Sequence, residues 1–592
     1  MTAGKSSSFA QTRDSEKLIE VALGREKADL AVVNARLVNV YTGEILDNCS
    51  VSIKDKWIAA VGNDLEYSIG AKTEVIDAGG ETVIPGFIDG HTHLAWLYTA
   101  YEFLKFAMKG GTTTIITETM EPFPISGYDG VVDFLESLKD QPIKIFSTAP
   151  FMASISDSAR GISIETLKKF LSRKDIIGLG ESYWQSVLQH PDLSLPILHE
   201  AFLSGKSLEG HSAGASTNKL NAYIAAGISS CHEPIKADEV LERLRLGLYV
   251  MIREGSIRRD LKEISKIKDF GIDLRRLVLV SDGLEPKDLL EKGYMEFIVQ
   301  KAIDCGFDPI TAIQMATLNV AEHFSLDDII GGIAPGRHAD LLIIPDERTI
   351  EAQYVISKGH VIAQNGNLLK QPRRHVFSKQ SMTSVHLTRK FNASDFAVRM
   401  ENAPHKVEAR IINMVTDLVT SELSLKVPVV DGEIRQDISS DIIKIASIDR
   451  THNPGKIFTG LIKGFCLKNG AFACSASWDT TDIIVIGAND ADMALAVNRI
   501  FDLQGGAVVS VNEKIEAELP MPVFGILSDL PIEKIAEKTD IIKNKLSVLG
   551  VHFADPLLSL IALTGAAIPF IRICEEGLVN LKNGKTVGLI ID

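Results

Sequence analysis

His91 and His93 close the run Val83-Ile84-Pro85-Gly86-Phe87-Ile88-Asp89-Gly90-His91-Thr92-His93. Residues two apart on a β-strand project to the same side, so an apolar run ending in His-x-His delivers two imidazoles to the carboxyl end of a buried strand. Such a pair can chelate one metal ion. Glu181, His211, His232 and Asp282 each follow a short apolar or glycine-bearing segment, as they would if successive strands of one barrel ended at a common rim. His91, His93 and Asp282 would then hold one ion, His211 and His232 a second, and Glu181 would bridge both through its two carboxylate oxygens. Imidazole mixed with carboxylate suits zinc, iron or manganese. Two ions sharing one water would lower its pKa towards ~7 and make hydroxide available at neutral pH. Asp282 would take the proton from the attacking water and pass it to a leaving nitrogen. Glu233, beside His232, would hydrogen-bond or protonate a ring nitrogen of the substrate, or else orient its neighbour.

Other histidines (His190, His199, His323, His338 and His360) lack such a setting and read as hydrogen-bonded core or surface residues. Cys231 reads as packing, since nothing around it in the sequence would lower a thiol pKa.

The elements that must position these groups follow from periodicity. Strand-like runs, Thr112-Thr113-Thr114-Ile115-Ile116-Thr117, Ile143-Lys144-Ile145-Phe146-Ser147, Ile176-Ile177-Gly178-Leu179-Gly180, Leu208-Glu209-Gly210 and Leu277-Val278-Leu279-Val280-Ser281, alternate with helix-like ones such as residues 237–246 and 298–302. That order predicts a (β/α)8 TIM-like barrel over residues 81–330, in an α/β chain. Short alternating strands with glycine punctuation before and after it predict a small β-sandwich module from residues 1–80 plus 331–372. Residues 370–379 read as a linker, and residues 390–592, with strands such as Ile483-Ile484-Val485-Ile486 and helices at 490–501 and 532–549, as an α+β C-terminal domain.

Composition limits the function. The 592 residues carry a net charge of −15, so no basic footprint for nucleic acid exists, and a small-molecule substrate is expected. Six cysteines without a CxxC pair suit a reducing cytoplasm without disulfides. Residues 1–8 are polar and lack the apolar stretch of an export signal. Residues 557–571 form the longest weakly polar stretch, too short to span a membrane and interrupted by Gly565 and Pro569.

The motif around His91 and His93, the turn Ser281-Asp282-Gly283 and the run Gly332-Ile333-Ala334-Pro335-Gly336-Arg337-His338-Ala339-Asp340-Leu341 resemble the amidohydrolase superfamily. Within it, Leu220-Asn221-Ala222-Tyr223-Ile224-Ala225-Ala226-Gly227, the run from Leu244 to Ser256, Thr311-Ala312-Ile313-Gln314-Met315-Ala316-Thr317-Leu318-Asn319 and Asn489-Asp490-Ala491-Asp492-Met493-Ala494 are similar to the bacterial adenine deaminases. The resemblance implies a metal-dependent barrel, hydrolysis of adenine to hypoxanthine and ammonia, and two divalent ions, manganese or iron ahead of zinc. It also implies a homodimer, and a bridging carboxylate at Glu181 in place of the carbamylated lysine of other subfamilies. The chain departs from the family's pattern at Leu94-Ala95-Trp96-Leu97, Glu118-Thr119-Met120-Glu121, Ser182-Tyr183-Trp184, Thr451-His452 and Trp478-Asp479-Thr480-Thr481-Asp482. Metal ligands thus persist beside altered polar neighbours, which implies retained hydrolytic machinery with a changed substrate pocket. A ring-opening amidohydrolase of an oxidised purine or hydantoin-like ring is the alternative, and a non-catalytic scaffold a third reading.

Overall fold

The computed structural model describes residues 14–151, 154–400 and 404–591. The polar start of the chain, residues 1–8, lies outside them.

Eight parallel strands form the centre of the molecule: β1 Phe87–Thr92, β2 Thr112–Thr117, β3 Lys144–Ala149, β4 Ile176–Tyr183, β5 Ser207–His211, β6 Ser230–Cys231, β7 Tyr249–Arg253 and β8 Leu277–Val280. Each is followed by helix before the next begins, and pairing runs β5-β4-β3-β2-β1 in one sheet and β6-β7-β8 in another. The seams between the two sheets are closed. The Ser229 N–H donates to Leu208 O at 2.9 Å across β5 and β6, and Thr92 bridges Asp282 in parallel across β1 and the end of β8. The chain is therefore a (β/α)8 barrel.

Alternation along the strands divides their side chains between two apolar clusters, because successive residues face opposite sides. Ile88, Ile116, Met251, Val278 and Val280 pack with Val320 and Phe324. Phe87, Ile115, Val250, Ile252, Leu277 and Leu279 pack with helix residues such as Phe103, Phe134 and Phe170. Strands buried on both faces must be apolar throughout, which is why these segments read as unbroken hydrophobic runs.

Nine strands from the two flanking pieces join in one continuous sheet, in which Leu341–Ile344 pairs antiparallel with Thr82–Pro85 directly before the His-x-His strand. Leu341 and Ile343 face one cluster and Leu342 and Ile344 the other. Residues 370–378 are irregular but tied to the barrel. Arg373 N–H donates to Gln141 Oε1 at 2.7 Å, and His375 Nε2 and Ser378 N–H both bond Asp133.

The C-terminal part holds a ten-stranded sheet, a three-stranded one, and the helices Asp490–Leu503 and Ile532–Val548. It adheres to the barrel through shared core: Trp96, Phe103, Ile486, Val509 and Ile542 belong to one apolar cluster. Leu527–Ser528 also adds a short parallel strand to Leu97–Tyr98, just past His93. The segment 557–571 opens in the short buried helix Pro556–Ile561 with one further turn, then runs irregularly past exposed Phe570 to a strand that begins at Ile571. Among the described residues no helix is long and apolar enough to cross a membrane.

Burial pushes the Glu296 carboxyl up to about 7 from 4.5, against a hydrogen bond from the Tyr294 N–H. A raised folded pKa means the native state holds a proton that the unfolded chain has released. The contribution is full below about 4.5 and is lost as pH rises towards about 7, by on the order of 3 kcal/mol. Urea denaturation across that window should show Glu296→Gln free of this slope, and equal slopes for both proteins would refute the assignment.

Candidate metal centre

Every group in the cluster sits at or just beyond the carboxyl end of a barrel strand. His91 lies in β1 and His93 one residue past it; Glu181 is in β4, His211 ends β5, His232 and Glu233 follow β6, Arg253 ends β7, and Asp282 follows β8. Asp282 adopts φ +66°, a left-handed conformation that aspartate tolerates better than most residues. Main-chain bonds hold it there: Asp282 N–H donates to His91 O and His93 N–H donates to Asp282 O, each at 3.0 Å. Beneath them Asp89 accepts from Ser281 Oγ at 2.6 Å and Tyr294 Oη at 2.5 Å. This buried network fixes the strand ends from which the ligands project.

The six groups expected to meet around metal do come together. Glu181 divides its carboxylate: Oε1 lies 3.1 Å from His93 Nε2 and 3.8 Å from His91 Nε2, while Oε2 lies 2.8 Å from His211 Nδ1 and 3.5 Å from His232 Nε2. Asp282 Oδ1 completes the first side, 3.5 Å from His91 Nε2 and 3.3 Å from His93 Nε2. Glu233 joins the second, its Oε1 3.5 Å from His211 Nδ1 and 3.3 Å from His232 Nε2. The His91 and His232 rings stack at 4.2 Å. His91 with His93 and Asp282, His91 with Glu181 and His232, and His211 with His232 and Glu233 each bring potential ligand atoms close enough for one ion.

Electrostatics favour a cation there. Burial would depress the imidazoles, yet Glu233 and Glu181 push His211 up to about 9, and Glu121, Asp282 and Glu181 hold His93 well above its ordinary value. Burial would likewise raise Asp282, but hydrogen bonds from His91 and His93 and the charge of Arg253 keep it well below the usual carboxylate range. His91 Nε2, 3.5 Å from Asp282 Oδ1 and 3.8 Å from Glu181 Oε1, is buried without a hydrogen-bond partner among the described residues, and His211 turns Nδ1 to Glu181 and Glu233. Buried nitrogens facing several carboxylates form a donor set that fits divalent metal.

Four groups escaped sequence reasoning as site residues. Glu118 Oε1 lies 3.6 Å from His91 Nδ1, and Glu121 Oε1 bonds His93 Nδ1, so each imidazole of the pair is backed by a carboxylate. Such partners fix ring orientation in metal sites. Their signal was present: Glu118 directly follows strand β2, as a rim residue should. Arg253 Nη1 bonds Glu233 Oε1 and lies 3.3 Å from Asp282 Oδ2, and its Nη2 lies 3.3 Å from Asp260. Asp479 reaches the site from the C-terminal part, accepting from Tyr183 Oη at 3.2 Å and from the Ala566 N–H at 2.7 Å. Its run, Trp478-Asp479-Thr480-Thr481-Asp482, stood out only as a departure from the family's pattern. His323, given no role, is buried and bonded to Glu209 at 3.0 Å.

The cluster forms the floor of a cavity of about 450 Å³, lined from the barrel by Trp96, Met120, Tyr183 and Ile257 and from the C-terminal part by Leu418, Trp478, Asp479 and Ile568. Gly283 leaves room for the Trp96 ring, since a Cβ there would stand 3.1 Å from it.

Residues 82–362 match the family model described as Amidohydrolase family, and residues 417–585 the one described as Adenine deaminase C-terminal domain. An adenine deaminase from Clostridium botulinum (strain Loch Maree / Type A3) is 34% identical over 98% of this chain and 98% of its own length. The chain belongs to the adenine deaminase family. Further relatives of that name come from Moorella thermoacetica, 35% identical over 97% of this chain and 98% of that protein, and from Cenarchaeum symbiosum, 33% identical over 98% and 95%. Adenine deaminase family membership thus extends across the barrel, the flanking sheet and the C-terminal part.

Proposed function

We propose that this chain hydrolyses adenine, or a close aminopurine, to hypoxanthine and ammonia. The observation carrying this reading is Glu181, whose two oxygens divide between the His91/His93 and His211/His232 pairs in the floor of a cavity large enough for a purine. His91, His93 and Asp282 would hold one divalent ion, His211 and His232 the other, with Glu181 between them. Manganese or iron suits these donors, and zinc is compatible with them. When bound, such ions polarise water and lower its pKa towards ~7.

The remaining chemistry belongs to the chain. Asp282 accepts the proton of the attacking water and returns one to the exocyclic nitrogen as it leaves C6, so that water and adenine become hypoxanthine and ammonia. Asp282 Oδ1 faces His91 and His93, which leaves Oδ2, held 3.3 Å from Arg253 Nη1, as the oxygen for this transfer. Glu233, oriented by Arg253, hydrogen-bonds a ring nitrogen of the purine. Glu121 holds the ring of His93 in place, and the Glu118 carboxyl stands behind His91 at 3.6 Å.

The ring-opening alternative has no comparable support, because relatives along the full chain bear the adenine deaminase name. We also assign three units: residues 1–80 with 331–372, residues 81–330, and residues 390–592. A cytoplasmic location without nucleic-acid partners accords with the charge of −15 and the six free cysteines, and the homodimer rests on the family resemblance alone.

The test loads the protein with manganese or iron, supplies adenine, and follows ammonia together with the ultraviolet spectrum. Stoichiometric ammonia with an intact purine absorbance is expected. Loss of the ring chromophore would establish ring opening instead.

A further inference from the structure

The cavity is larger and more apolar than the bare base requires. Its volume of about 450 Å³ lies within the roughly 300–1,000 Å³ of sites that enclose drug-sized ligands. Beyond the metal-ligand cluster the walls are largely hydrocarbon and aromatic: Trp96 and Ile257 from the barrel, and Leu418, Trp478, Ile568 and Pro569 from the C-terminal part.

The charged groups in the same lining already have partners. Arg253 is shared among Glu233, Asp282 and Asp260, and Arg258 pairs with Asp260 at 3.3 Å. Asp417 accepts the Ala554 N–H at 3.1 Å and Glu239 the Ile235 N–H at 2.9 Å. Among the described lining residues the two arginines share Asp260 and stand among more numerous carboxylates, Glu121, Glu233, Glu239, Asp417 and Asp479 among them, which disfavours a phosphate. An apolar group placed against these hydrocarbon and aromatic side chains gains by burial.

We propose that the cavity takes an aminopurine carrying a bulky apolar substituent on an edge remote from C6, with that substituent packed against Leu418, Trp478 and Ile568. This rests on the deaminase reading for the position of C6. The reaction is unchanged: water adds at C6, ammonia leaves, and the substituted hypoxanthine retains its side group. The C-terminal part would thereby set the substrate range of a reaction performed by the barrel.

Binding separates this inference from catalysis. Purine and purines benzylated at N9, N3 or C8 lack a leaving group at C6, so calorimetry on the metal-loaded full chain reads affinity alone. At least one benzylated purine should bind about tenfold more tightly than purine, and Leu418→Ala and Trp478→Ala should each shrink that gain. The two substitutions lie at separate points of the wall, so failure of one variant to fold leaves the other decisive. The inference is overturned when no benzylated purine outbinds purine, or when the gain survives in every folded variant. Ammonia release from adenine, assayed in parallel, judges the deaminase reading separately.

Discussion

Glu181→Gln should lower ammonia release from adenine by about 10³-fold or more, and should reduce bound metal from about two ions per chain to well below one. The amide preserves shape but carries one neutral oxygen where the carboxylate offers two charged ones. Its oxygens face opposite imidazole pairs, at 3.1 Å from His93 Nε2 and 2.8 Å from His211 Nδ1, so one substitution weakens both halves of the centre. Removal of His93 alone should spare the His211/His232 side. Elemental analysis distinguishes the two cases independently of turnover. Full metal content and near-normal activity in Glu181→Gln would defeat the bridging assignment.

Arg253→Met should destabilise the protein by about 3–5 kcal/mol, read as a shifted urea midpoint at unchanged slope. The Arg253 side chain is only 5% exposed and faces three carboxylates, those of Glu233, Asp282 and Asp260. Removing it leaves buried negative charge with a lost partner, which costs more than the ion pair itself contributes. Arg253→Lys should fall between the two, because a single ammonium cannot fork toward Glu233 and Asp260 together. Activity should drop as well, since Glu233 and Asp282 lose the group that orients them. A midpoint within experimental error of the parent protein would show that the guanidinium is dispensable.

Much of the centre was written locally. A strand places alternate residues on one side, so His91 and His93 declared themselves through spacing alone. Glu181, His211, His232 and Asp282 did so by following short apolar or glycine-bearing segments, as residues at a common barrel rim would. The same rule applies to Glu118, which directly follows the run Thr112-Thr113-Thr114-Ile115-Ile116-Thr117. Strands β6 and β7 were not read from periodicity. Two residues in β6 are too few to show a period, and β7 was recognised only as part of a family motif.

The sequence by itself determined the barrel and marked out the His-x-His pair with Glu181, His211, His232 and Asp282 as candidates for one rim cluster, because period-two burial and strand-end position are local properties of the chain. Only the tertiary structure decided that Glu181 turns one oxygen to each imidazole pair, that Arg253 joins three carboxylates, and that Trp478 and Asp479 close the cavity from the C-terminal part. Those facts depend on contacts between segments far apart in sequence. Their geometry is set by how the barrel and the C-terminal sheet pack, which no run of neighbouring residues encodes.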